Sequence, residues 1–501
     1  MAKKKTIRSI PQDRAPMAVQ EPEKRVKNFD EVALGFTPEA ALVECERCLL
    51  CPEPACVAGC PVSIDIPGFI IKISEKDYRG AYDILSDSNL LPAICGRVCP
   101  QEDQCEGVCP VGATLEPVAI GRLERWVGDQ AIKEGWSTRP HIEPKKFKVG
   151  IVGSGPAGMA CAADLAKAGC EVIVYEAFHE PGGVLRYGIP EFRLPNAVVD
   201  AEIANMKALG VQIECNTLVG RLFTIEQMRE EMGFDAVFIG TGAGAPRFME
   251  IPGETLNGVL SANELLTRCN LMSAGKFPDF DTPLHLGRKI AVIGSGNTAM
   301  DAMRVSLRMG AEKVYCVYRR TEAESPARKE ELHHAQEEGV DFHWLTAPTE
   351  ILDDGEGNVR AMRCVRMKLG DPDASGRRSP VPIEGSEYEF ETDMVVYAIG
   401  TSANPILGQT SKLKLNARGY IETDETLATS MAGVYAGGDI VTGAATVILA
   451  MGAGRKAAQS IKEYLSIPDS AAVYFPRTDN PDNTLFGIDL AERNFAPLRV
   501  A

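Results

Sequence analysis

The sequence predicts an α/β protein with two Rossmann-like dinucleotide-binding domains, one inserted into the other, behind a small α-helical domain. Three observations predict this architecture. Two glycine-rich fingerprints, GSGPAG and GSGNTA, each follow an apolar strand-like run and precede a helical pattern. Strand and helix patterns alternate from about residue 146 to residue 465. Nine of the fifteen cysteines lie between Cys45 and Cys109, in a segment with helical periodicity.

The overall composition predicts a cytoplasmic protein that does not bind nucleic acid. The formal net charge is −16, whereas a surface that binds nucleic acid needs a concentration of basic residues. The longest apolar run, TVILAMGAG from Thr446, is far shorter than the roughly 20 residues that a membrane-spanning helix needs. We therefore expect no membrane span.

The cysteine-rich segment predicts iron–sulfur ligation. It contains CERCLLCPEPACVAGC from Cys45 and CGRVCPQEDQCEGVCP from Cys95. A reducing compartment disfavours structural disulfides, and neither block divides into the two CxxC pairs that are typical of a zinc site. Grouped cysteines, some followed by proline, are typical of iron–sulfur proteins, and Cys60, Cys99 and Cys109 each precede a proline. Zinc is the alternative interpretation.

The first fingerprint predicts a dinucleotide site that takes an unphosphorylated ribose. It lies in KVGIVGSGPAGMACAADLAKAGCEVIVYEA, which reads as a strand, a turn, a helix and a second strand. Gly153 would make the tight turn, Gly155 would let the backbone approach a pyrophosphate, and Gly158 would allow the helix to pack closely on the strand. Glu176 follows the second strand, where a carboxylate accepts hydrogen bonds from the ribose hydroxyls.

The second fingerprint predicts a site for NADP. It lies in KIAVIGSGNTAMDAMRVSLRMGAEKVYCVYRR, with the three fingerprint positions held by Gly294, Gly296 and Ala299. In place of the acidic residue of the first copy, this copy has Arg319 and Arg320, and Arg328 follows shortly after. A guanidinium group there suits a ribose 2′-phosphate, so the pattern favours NADP over NAD. A solvated arginine loop is the alternative.

A third stretch, GVYAGGDIVTGAATVILAMGAGRKAA, predicts that the first site binds FAD. It reads as a strand that ends at Gly438 and Asp439, followed by a helix that begins near Thr446. In such an arrangement the aspartate meets the ribityl chain of a flavin, and the helix N-terminus faces its ring. The distance from the first fingerprint implies that the NADP domain is inserted into the FAD domain. No CxxC pair follows Cys51, so we do not expect dithiol chemistry.

These patterns divide the chain into six segments. We expect a flexible tail at 1–30 and a helical iron–sulfur domain at 31–145. The FAD-binding domain would be split into an N-terminal portion at 146–280 and a C-terminal portion at 391–465, with the NADP-binding domain at 281–390 between them. An irregular C-terminal tail would occupy 466–501.

Five motifs together resemble the small subunit of NADPH-dependent glutamate synthase over about residues 35–465. They are RCLLCPEPACVAGCPVSIDIPGFI, CGRVCPQEDQCEG, EPVAIGRLERWV, GGVLRYGIPEFRLP and VYRRTEAESPAR. The same architecture is shared by the large subunit of the electron-bifurcating ferredoxin:NADP oxidoreductase and by the amino-terminal half of dihydropyrimidine dehydrogenase. The resemblance implies FAD, NADPH and two 4Fe-4S clusters as cofactors, with Gly183 of the fourth motif in the flavin site.

The resemblance also implies two sets of cluster ligands. The first set is Cys48, Cys51, Cys56 and Cys109. The second set is Cys60, Cys99 and Cys105, with a fourth ligand from the GRLER helix at Glu124. Cys45 and Cys95 would then be spare. Spacing alone also allows a ferredoxin-like trio of Cys45, Cys48 and Cys51, and a helix glutamate such as Glu124 is by default solvated or paired with a neighbouring arginine.

The resemblance implies an NADPH-dependent flavoprotein oxidoreductase. It would take hydride from NADPH onto FAD and pass single electrons through 4Fe-4S clusters to a redox partner subunit. The leading partner is a glutamate synthase large subunit. The alternative is a ferredoxin-linked transhydrogenase, including electron-bifurcating ones, or another redox complex, with a flavoprotein or iron–sulfur subunit or ferredoxin as partner. An iron–sulfur scaffold that does not turn over NADPH is a third hypothesis. We expect no catalytic side chain.

Overall fold

The computed structural model describes residues 9–136, 146–373 and 376–468, and the short strands Thr484–Leu485 and Ile488–Asp489, which pair antiparallel. Residues 1–8 and 137–145, and most of the C-terminal tail expected at 466–501, lie outside the described residues. Among the helices that the structure describes, none has the length and apolar character needed to cross a bilayer.

The cysteine-rich segment forms helices joined by short turns. These helices are Pro22–Arg25, Pro38–Glu46, Ala55–Ala58, Ile66–Ser74, Tyr78–Ser88, Pro92–Val98 and Ile120–Glu134, with 3₁₀ turns at Gln101–Asp103 and Pro110–Ala113. Aspartate side chains start two of the helices: Asp65 accepts a hydrogen bond from the Gly68 amide, and Asp77 accepts one from the Gly80 amide. Both cysteine blocks lie in these short helices and in the turns between them.

The first parallel sheet combines strands from both sides of a long insertion. Its strand order is Val434–Ala436, Ala236–Ile239, Lys148–Val152, Glu171–Tyr175 and Gln212–Glu214, and all neighbours are parallel. The associated helices are Pro156–Lys167, Val184–Tyr187, Asn196–Ala208, Ile225–Glu230, Asp439–Thr442 and Val447–Tyr464. The edge strand Val434–Ala436 comes from the far side of the second fingerprint, so the expected insertion of one nucleotide domain into the other is confirmed.

The second parallel sheet lies within that insertion. Its strand order is Val259–Ser261, Met394–Tyr397, Lys289–Ile293, Lys313–Tyr318 and Asp341–Trp344. Its helices are Ala262–Leu266, Asn297–Arg308 and Lys329–Glu337, and short turns of 3₁₀ or π type occur at Thr267–Leu271, Ala274–Lys276 and Glu322–Glu324. Both fingerprints thus occupy the same position, between the first strand of a strand–helix–strand unit and the helix that follows it.

An antiparallel sheet, which the sequence patterns did not indicate, extends from the second domain. It consists of Thr346–Asp353, Val359–Pro372, Arg378–Pro382 and Tyr388–Glu391. Asp373, which directly follows the long strand Val359–Pro372, lies close to the end of the strand Lys313–Tyr318, where it accepts a hydrogen bond from Arg320. A two-stranded pair, Ala245–Pro246 with Thr401–Ser402, and the helix Ile406–Thr410 lie where the chain passes between the two domains.

Residues 9–30 differ from the flexible tail expected there. The Arg25 side chain is only 2% exposed, and it donates hydrogen bonds to Glu337 at 2.7 Å and to Glu338 at 2.9 Å. The segment continues along the body, where the Val32 amide donates to the Phe192 carbonyl at 2.9 Å. A buried guanidinium needs paired carboxylates, and two glutamates more than 300 residues away supply them, so the segment is held in place.

Candidate functional site

The first proposed ligand set lines one cavity. Its members are Cys48, Cys51, Cys56 and Cys109. The space among the lining residues is about 380 Å³, open solvent included, and the other lining residues are all apolar. Burial, together with the neighbouring Cys48, Cys109 and Cys51, raises the pKa of the Cys56 thiol to about 12. Thiols that oppose one another's ionisation become stable thiolates when cations lie among them, so this donor set fits an iron–sulfur cluster.

The second proposed ligand set lines a separate cavity. Its members are Cys60, Cys99, Cys105 and Glu124, and the space among the lining residues is about 340 Å³, open solvent included. Burial and nearby acidic groups raise the pKa of Cys105 well above its usual range, and burial raises that of Cys60 to about 11. The hydrogen bond with Cys95 and burial raise the pKa of Cys99, while the positive charge of Arg328 opposes that rise. Three cysteines and one carboxyl group therefore converge here.

Glu124 lies in the second cavity and not on the helix surface. It is 5% exposed, and burial raises the pKa of its carboxyl group to about 8. Asn89 donates a hydrogen bond to Glu124 Oε1 at 2.6 Å. The two helix arginines that could have paired with it have other partners, because Arg122 contacts Glu330 and Arg125 contacts Glu31 and Asp129. Glu124 therefore lines the cavity of Cys60, Cys99 and Cys105 and is not paired with either helix arginine.

Cys45 and Cys95 line neither of these two cavities. Cys45 is fully buried in the helix Pro38–Glu46. Cys95 is also fully buried, and its Sγ lies 3.6 Å from both Asn89 Oδ1 and Met451 Sδ. Among the residues that the structure describes, no three His, Cys, Asp or Glu side chains are arranged to hold a single metal ion.

The two cavities adjoin each other and the helix Val447–Tyr464. Ile66 and Ile120 line both cavities. Ile448, in the first turn of that helix, lines only the second cavity. The order in space therefore runs from the helix N-terminus to the second cavity and then to the first.

The first fingerprint has the shape that a pyrophosphate needs. Gly153 adopts a φ of +98°, and a Cβ there would lie 2.7 Å from the Gly240 carbonyl oxygen. A Cβ on Gly158 would lie 1.9 Å from the Gly153 carbonyl oxygen, whereas a Cβ on Gly155 would meet nothing within 4 Å. The loop is thus tightly packed on the protein side and open above Gly155, which fits an approaching ligand.

Glu176 is held against the fingerprint loop by a residue that the sequence patterns did not single out. Its Oε2 accepts hydrogen bonds from the Ser154 amide at 3.0 Å and from the Ser154 hydroxyl at 2.5 Å. Its Oε1 accepts one from the Phe178 amide at 3.0 Å. A carboxylate has about four acceptor sites, so one is left for a ribose hydroxyl. Only the position of Ser154 within GSGPAG could have suggested this role.

The remaining predicted flavin residues surround the same loop. Gly183 has a φ of +56°, and a Cβ on it would lie 2.8 Å from Gly155 Cα. Asp439 accepts a hydrogen bond from the Ala445 amide at 3.2 Å, and burial raises its pKa. The Thr446 hydroxyl caps the helix Val447–Tyr464 by accepting from the Leu449 amide at 3.3 Å.

Gly438 and Tyr187 complete this region. Gly438 has a φ of +76°, a backbone conformation that favours glycine, directly before Asp439. Tyr187 belongs to the GGVLRYGIPEFRLP motif but was not singled out as a site residue. Burial, followed by the charges of Asp439 and Glu176, raises its pKa to about 12, so this ring lies near both carboxylates of the predicted flavin site.

The second fingerprint repeats the geometry of the first. Gly294 has a φ of +129°, and a Cβ there would lie 2.4 Å from the Ala398 carbonyl oxygen. Gly296 caps the helix Asn297–Arg308, and Ala299 is fully buried in its first turn. As at the first fingerprint, a helix N-terminus follows the first strand, which is where an anion site requires one, but here a Cβ on Gly296 would lie 3.7 Å from Pro326 Cγ.

The three arginines predicted to bind the 2′-phosphate are not brought together. Arg319 is exposed at the end of the strand Lys313–Tyr318. Arg320 is 5% exposed and donates hydrogen bonds to Asp373 at 2.6 Å and to the Arg378 carbonyl at 2.8 Å. Arg320 therefore anchors the hairpin formed by the strands Val359–Pro372 and Arg378–Pro382, while Arg319 is exposed to solvent.

Arg328 points away from the other two arginines, towards the cysteine domain. Its Nη1 donates to the Arg97 carbonyl at 2.5 Å, and its Nη2 donates to Gln101 Oε1 at 3.1 Å. Gln101 is one of the residues that line the second cavity. Of the three arginines, Arg328 is thus the one in contact with the cysteine domain in this structure.

A larger, open cavity beside the helix Asp439–Thr442 contains residues that no motif indicated. It contains about 1080 Å³ of space, including open solvent, and Arg247, Arg418 and Tyr420 are among its lining residues. The Arg247 Nη2 lies 3.4 Å from the Tyr420 hydroxyl. Sequence reasoning missed these residues because they come from separate loops with no common spacing.

Two family models match the chain. The model described as "Pyridine nucleotide-disulphide oxidoreductase" matches residues 147–454. The model described as "Dihydropyrimidine dehydrogenase domain II, 4Fe-4S cluster" matches residues 25–136. Together they cover both the two nucleotide-binding sheets and the cysteine-rich helices, and they confirm the predicted fold class.

Several characterised relatives are similar over most of the chain. The glutamate synthase [NADPH] small chain of Azospirillum brasilense is 37% identical over 458 residues, which cover 90% of this chain and 94% of that protein. The glutamate synthase [NADPH] small chain of Escherichia coli is 35% identical, with coverages of 90% and 97%. The NADP(+)-dependent formate dehydrogenase subunit beta of Moorella thermoacetica is 40% identical over 82% of this chain, which spans 60% of that longer protein.

A solved structure supports the fold. Mycobacterium tuberculosis FprA in complex with NADPH superimposes with a TM-score of 0.54 at 22% identity, over 65% of this chain and 85% of that chain. At this level of identity the match concerns the architecture of the two nucleotide-binding domains.

Proposed function

Because this chain belongs to the family of the NADPH-dependent glutamate synthase small chain, we propose that it is the electron-input subunit of a larger redox complex. It is an NADPH-dependent flavoprotein oxidoreductase with an iron–sulfur domain, so the predicted family and the predicted enzyme class are confirmed. Its role is to oxidise NADPH and pass the electrons on to a partner.

Residues around the first fingerprint would hold FAD. Bound FAD supplies the conversion of a two-electron hydride into single electrons. Gly153 and Gly155 shape the loop for the pyrophosphate, and Glu176 offers an acceptor to the ribose. Asp439 would meet the ribityl chain, and the capped helix that begins after Thr446 would direct its N-terminal amides at the flavin ring. The protein needs no side-chain acid or base here, since its task is to position the ring and exclude water.

The second fingerprint would hold NADPH. Gly294 and Gly296 would let the pyrophosphate approach the helix N-terminus, and Ala299 would allow the helix to pack closely on the strand. Arg319 is the arginine whose charge faces solvent at the end of the strand, where the 2′-phosphate of NADPH is expected. Arg320 stays a proposed site residue whose guanidinium is shared with the hairpin.

We assign two 4Fe-4S clusters to this subunit. The observation that carries the assignment is that each cavity is lined by one complete set of four ligands and by no cysteine of the other set. Glu124 completes the second set and replaces a fourth thiolate. The second cavity lies beside the N-terminus of the helix Val447–Tyr464, and the first cavity lies farther from that helix. The first set is therefore the one from which a partner would receive electrons.

The partner is a redox subunit in the cytoplasm. A glutamate synthase large subunit is the leading candidate, because the relatives that match nearly end to end carry the small-chain name. The formate dehydrogenase beta subunit of Moorella thermoacetica favours a second candidate, another NADP-linked redox complex, including ferredoxin-linked ones. We retain the iron–sulfur segment at 31–145 as a proposal. The strands Val259–Ser261 and Met394–Tyr397 belong to the second sheet, so the NADP-binding domain extends beyond the 281–390 expected from the sequence, and the FAD-binding segments at 146–280 and 391–465 are correspondingly shorter.

Rapid mixing with NADPH tests the proposed function. The purified protein is mixed anaerobically with NADPH in a stopped-flow instrument, and its flavin absorbance should be bleached at least as fast as the enzyme turns over. NADH at the same concentration should bleach the flavin much more slowly. A protein that binds clusters but whose flavin is not bleached by NADPH would be a scaffold and not an oxidoreductase. Capture of the native complex from the source cells would then identify the acceptor subunit.

A further inference from the structure

The Arg328 side chain contacts the cysteine domain through two hydrogen bonds. Its side chain is 8% exposed, and two of its nitrogen atoms donate to the Arg97 carbonyl and to Gln101 Oε1. It also pairs with Glu330 at 3.1 Å and approaches Glu102 at 3.9 Å. The next residue continues this contact, since the Lys329 amide donates to Glu102 Oε1 at 2.9 Å.

Gln101 connects Arg328 to the second cavity. Its side chain lines that cavity, and its Nε2 donates to the Gly96 carbonyl at 3.2 Å. A Cβ on Gly121 would lie 2.2 Å from Gln101 Nε2, so the amide is packed tightly against the helix that carries Glu124. The amide is therefore fixed in one orientation, with its oxygen bonded to the guanidinium of Arg328.

We propose that Arg328 is a positioning residue of the second cluster, and that its buried charge, held through Gln101, raises the reduction potential of that cluster. The proposal rests on the proposed function, in which Cys60, Cys99, Cys105 and Glu124 hold a 4Fe-4S cluster. It differs from the sequence-based expectation that Arg328 binds the nucleotide 2′-phosphate.

The sign of the effect follows from charge and burial. Reduction adds an electron to the cluster, so a nearby positive charge stabilises the reduced form and raises the potential. Glu102 and Glu330 oppose this effect, but their side chains are 27% and 29% exposed, against 8% for Arg328. Water screens the more exposed carboxylates more strongly than the buried guanidinium, so the positive charge dominates at the cluster.

The test compares Arg328→Gln with the matched control Arg319→Gln in the holoprotein. EPR-monitored redox titration gives the potential of each cluster, and steady-state kinetics give the ratio of kcat/KM for NADPH to that for NADH. Arg328→Gln should make the potential of the second cluster more negative and leave that of the first cluster and the NADPH/NADH ratio unchanged. Arg319→Gln should lower the NADPH/NADH ratio by about tenfold or more, with both potentials unchanged.

Two further variants keep the test decisive if Arg328→Gln does not fold. Arg328→Lys retains the charge and should keep the potential of the second cluster near that of the wild type. Gln101→Glu places a carboxylate between Arg328 and the cavity and should make that potential more negative. If neither Arg328→Gln nor Gln101→Glu shifts the potential, or if Arg328→Gln lowers the NADPH/NADH ratio without a shift, the proposal is wrong. A holoprotein with only one cluster would contradict the proposed function itself.

Discussion

At the residue scale, the buried environment of Glu124 could not be predicted from the helical pattern around it. In the sequence it is one of several charged residues in IGRLERWVGDQ, and a solvated glutamate or an ion pair is the ordinary interpretation. In the structure both neighbouring arginines have other partners, and Glu124 is buried beside Cys60, Cys99 and Cys105. The family resemblance indicated the residue, but only the three-dimensional packing shows that neither of these arginines competes for it.

Replacement of Glu124 tests whether it is a ligand. Glu124→Ala should make the second cluster labile or change its EPR signal, and electron transfer to an acceptor should slow while flavin reduction by NADPH stays normal. Glu124→Cys should retain the cluster with a shifted potential, because a thiolate is a softer and more electron-rich donor than a carboxylate. Unchanged iron content and an unchanged EPR spectrum in Glu124→Ala would make the residue structural, and Cys95 would become the next candidate.

The proposed division of the cysteines into ligands and spare residues can be tested by iron analysis. Two 4Fe-4S clusters require about eight iron atoms per chain. Cys45→Ala and Cys95→Ala should retain this content, because neither side chain lines either of the two cavities. Cys56→Ala and Cys105→Ala should each lose one cluster, about four iron atoms. Loss of iron on replacement of Cys45 would instead support the ferredoxin-like trio of Cys45, Cys48 and Cys51.

At the element scale, the first fingerprint contains two glycines whose replacement by alanine should have different effects. Gly155→Ala adds a methyl group where nothing lies within 4 Å, so the fold should stay intact while FAD binds more weakly, because the methyl group enters the space for the pyrophosphate. Gly158→Ala places a Cβ 1.9 Å from the Gly153 carbonyl oxygen, so this variant should lose stability itself.

Thermal unfolding of the flavin-free form separates the two effects. The Gly155→Ala apoprotein should unfold at the temperature of the wild-type apoprotein, and the Gly158→Ala apoprotein should unfold well below it. Equal destabilisation of both variants would contradict the division of roles in this loop.

Elements with a chemical motif could be predicted, and those without one could not. Both strand–turn–helix units were indicated by glycine spacing and apolar runs, because backbone approach to a phosphate imposes that spacing. The antiparallel sheet around Val359–Pro372 carries no such constraint, so its sequence offered no signal beyond alternating apolar residues. The docking of residues 9–30 depends on Arg25 meeting Glu337 and Glu338, a pairing across more than 300 residues that local patterns cannot encode.

At the scale of the whole molecule, a buried ionic network joins the N-terminal segment, the first nucleotide domain and the second. Glu338 accepts hydrogen bonds from Arg25, Arg304 and Arg308. Arg193 of the first domain donates to both carboxylate oxygens of Asp301 of the second domain, each at 2.7 Å. The network fixes the two nucleotide domains relative to each other, as hydride transfer between two bound rings requires.

Glu338→Gln tests the network. Removal of one buried carboxylate leaves three guanidinium groups short of a partner, so we expect a loss of about 3–5 kcal/mol in the free energy of unfolding, measured by urea denaturation. As a control, Glu391→Gln breaks an exposed pair with Lys289 and should leave the free energy of unfolding nearly unchanged.

The ion pairs of Glu338 also predict how the effect of Glu338→Gln on stability depends on pH. Burial raises the pKa of Glu338, but hydrogen bonds from Arg308 and Arg304 outweigh it and hold the pKa at about 2, below the ordinary 4.5. A group whose pKa is lowered in the folded state contributes its stability above the unfolded pKa and loses it as the pH falls towards the folded value. The difference between wild type and Glu338→Gln should therefore be constant above pH 4.5 and shrink below it. A difference that already shrinks near neutral pH would contradict the assigned ion pairs.

The most direct test of the central claim is an anaerobic titration of the purified protein with NADPH, followed by optical and EPR spectroscopy on samples of known iron content. We expect about eight iron atoms per chain and bleaching of the flavin. EPR signals from two distinct 4Fe-4S clusters should follow as both clusters become reduced during the titration. If NADPH bleaches the flavin but neither cluster can be reduced, even with excess reductant, or if the protein holds only about four iron atoms, the chain does not carry electrons along the path proposed here.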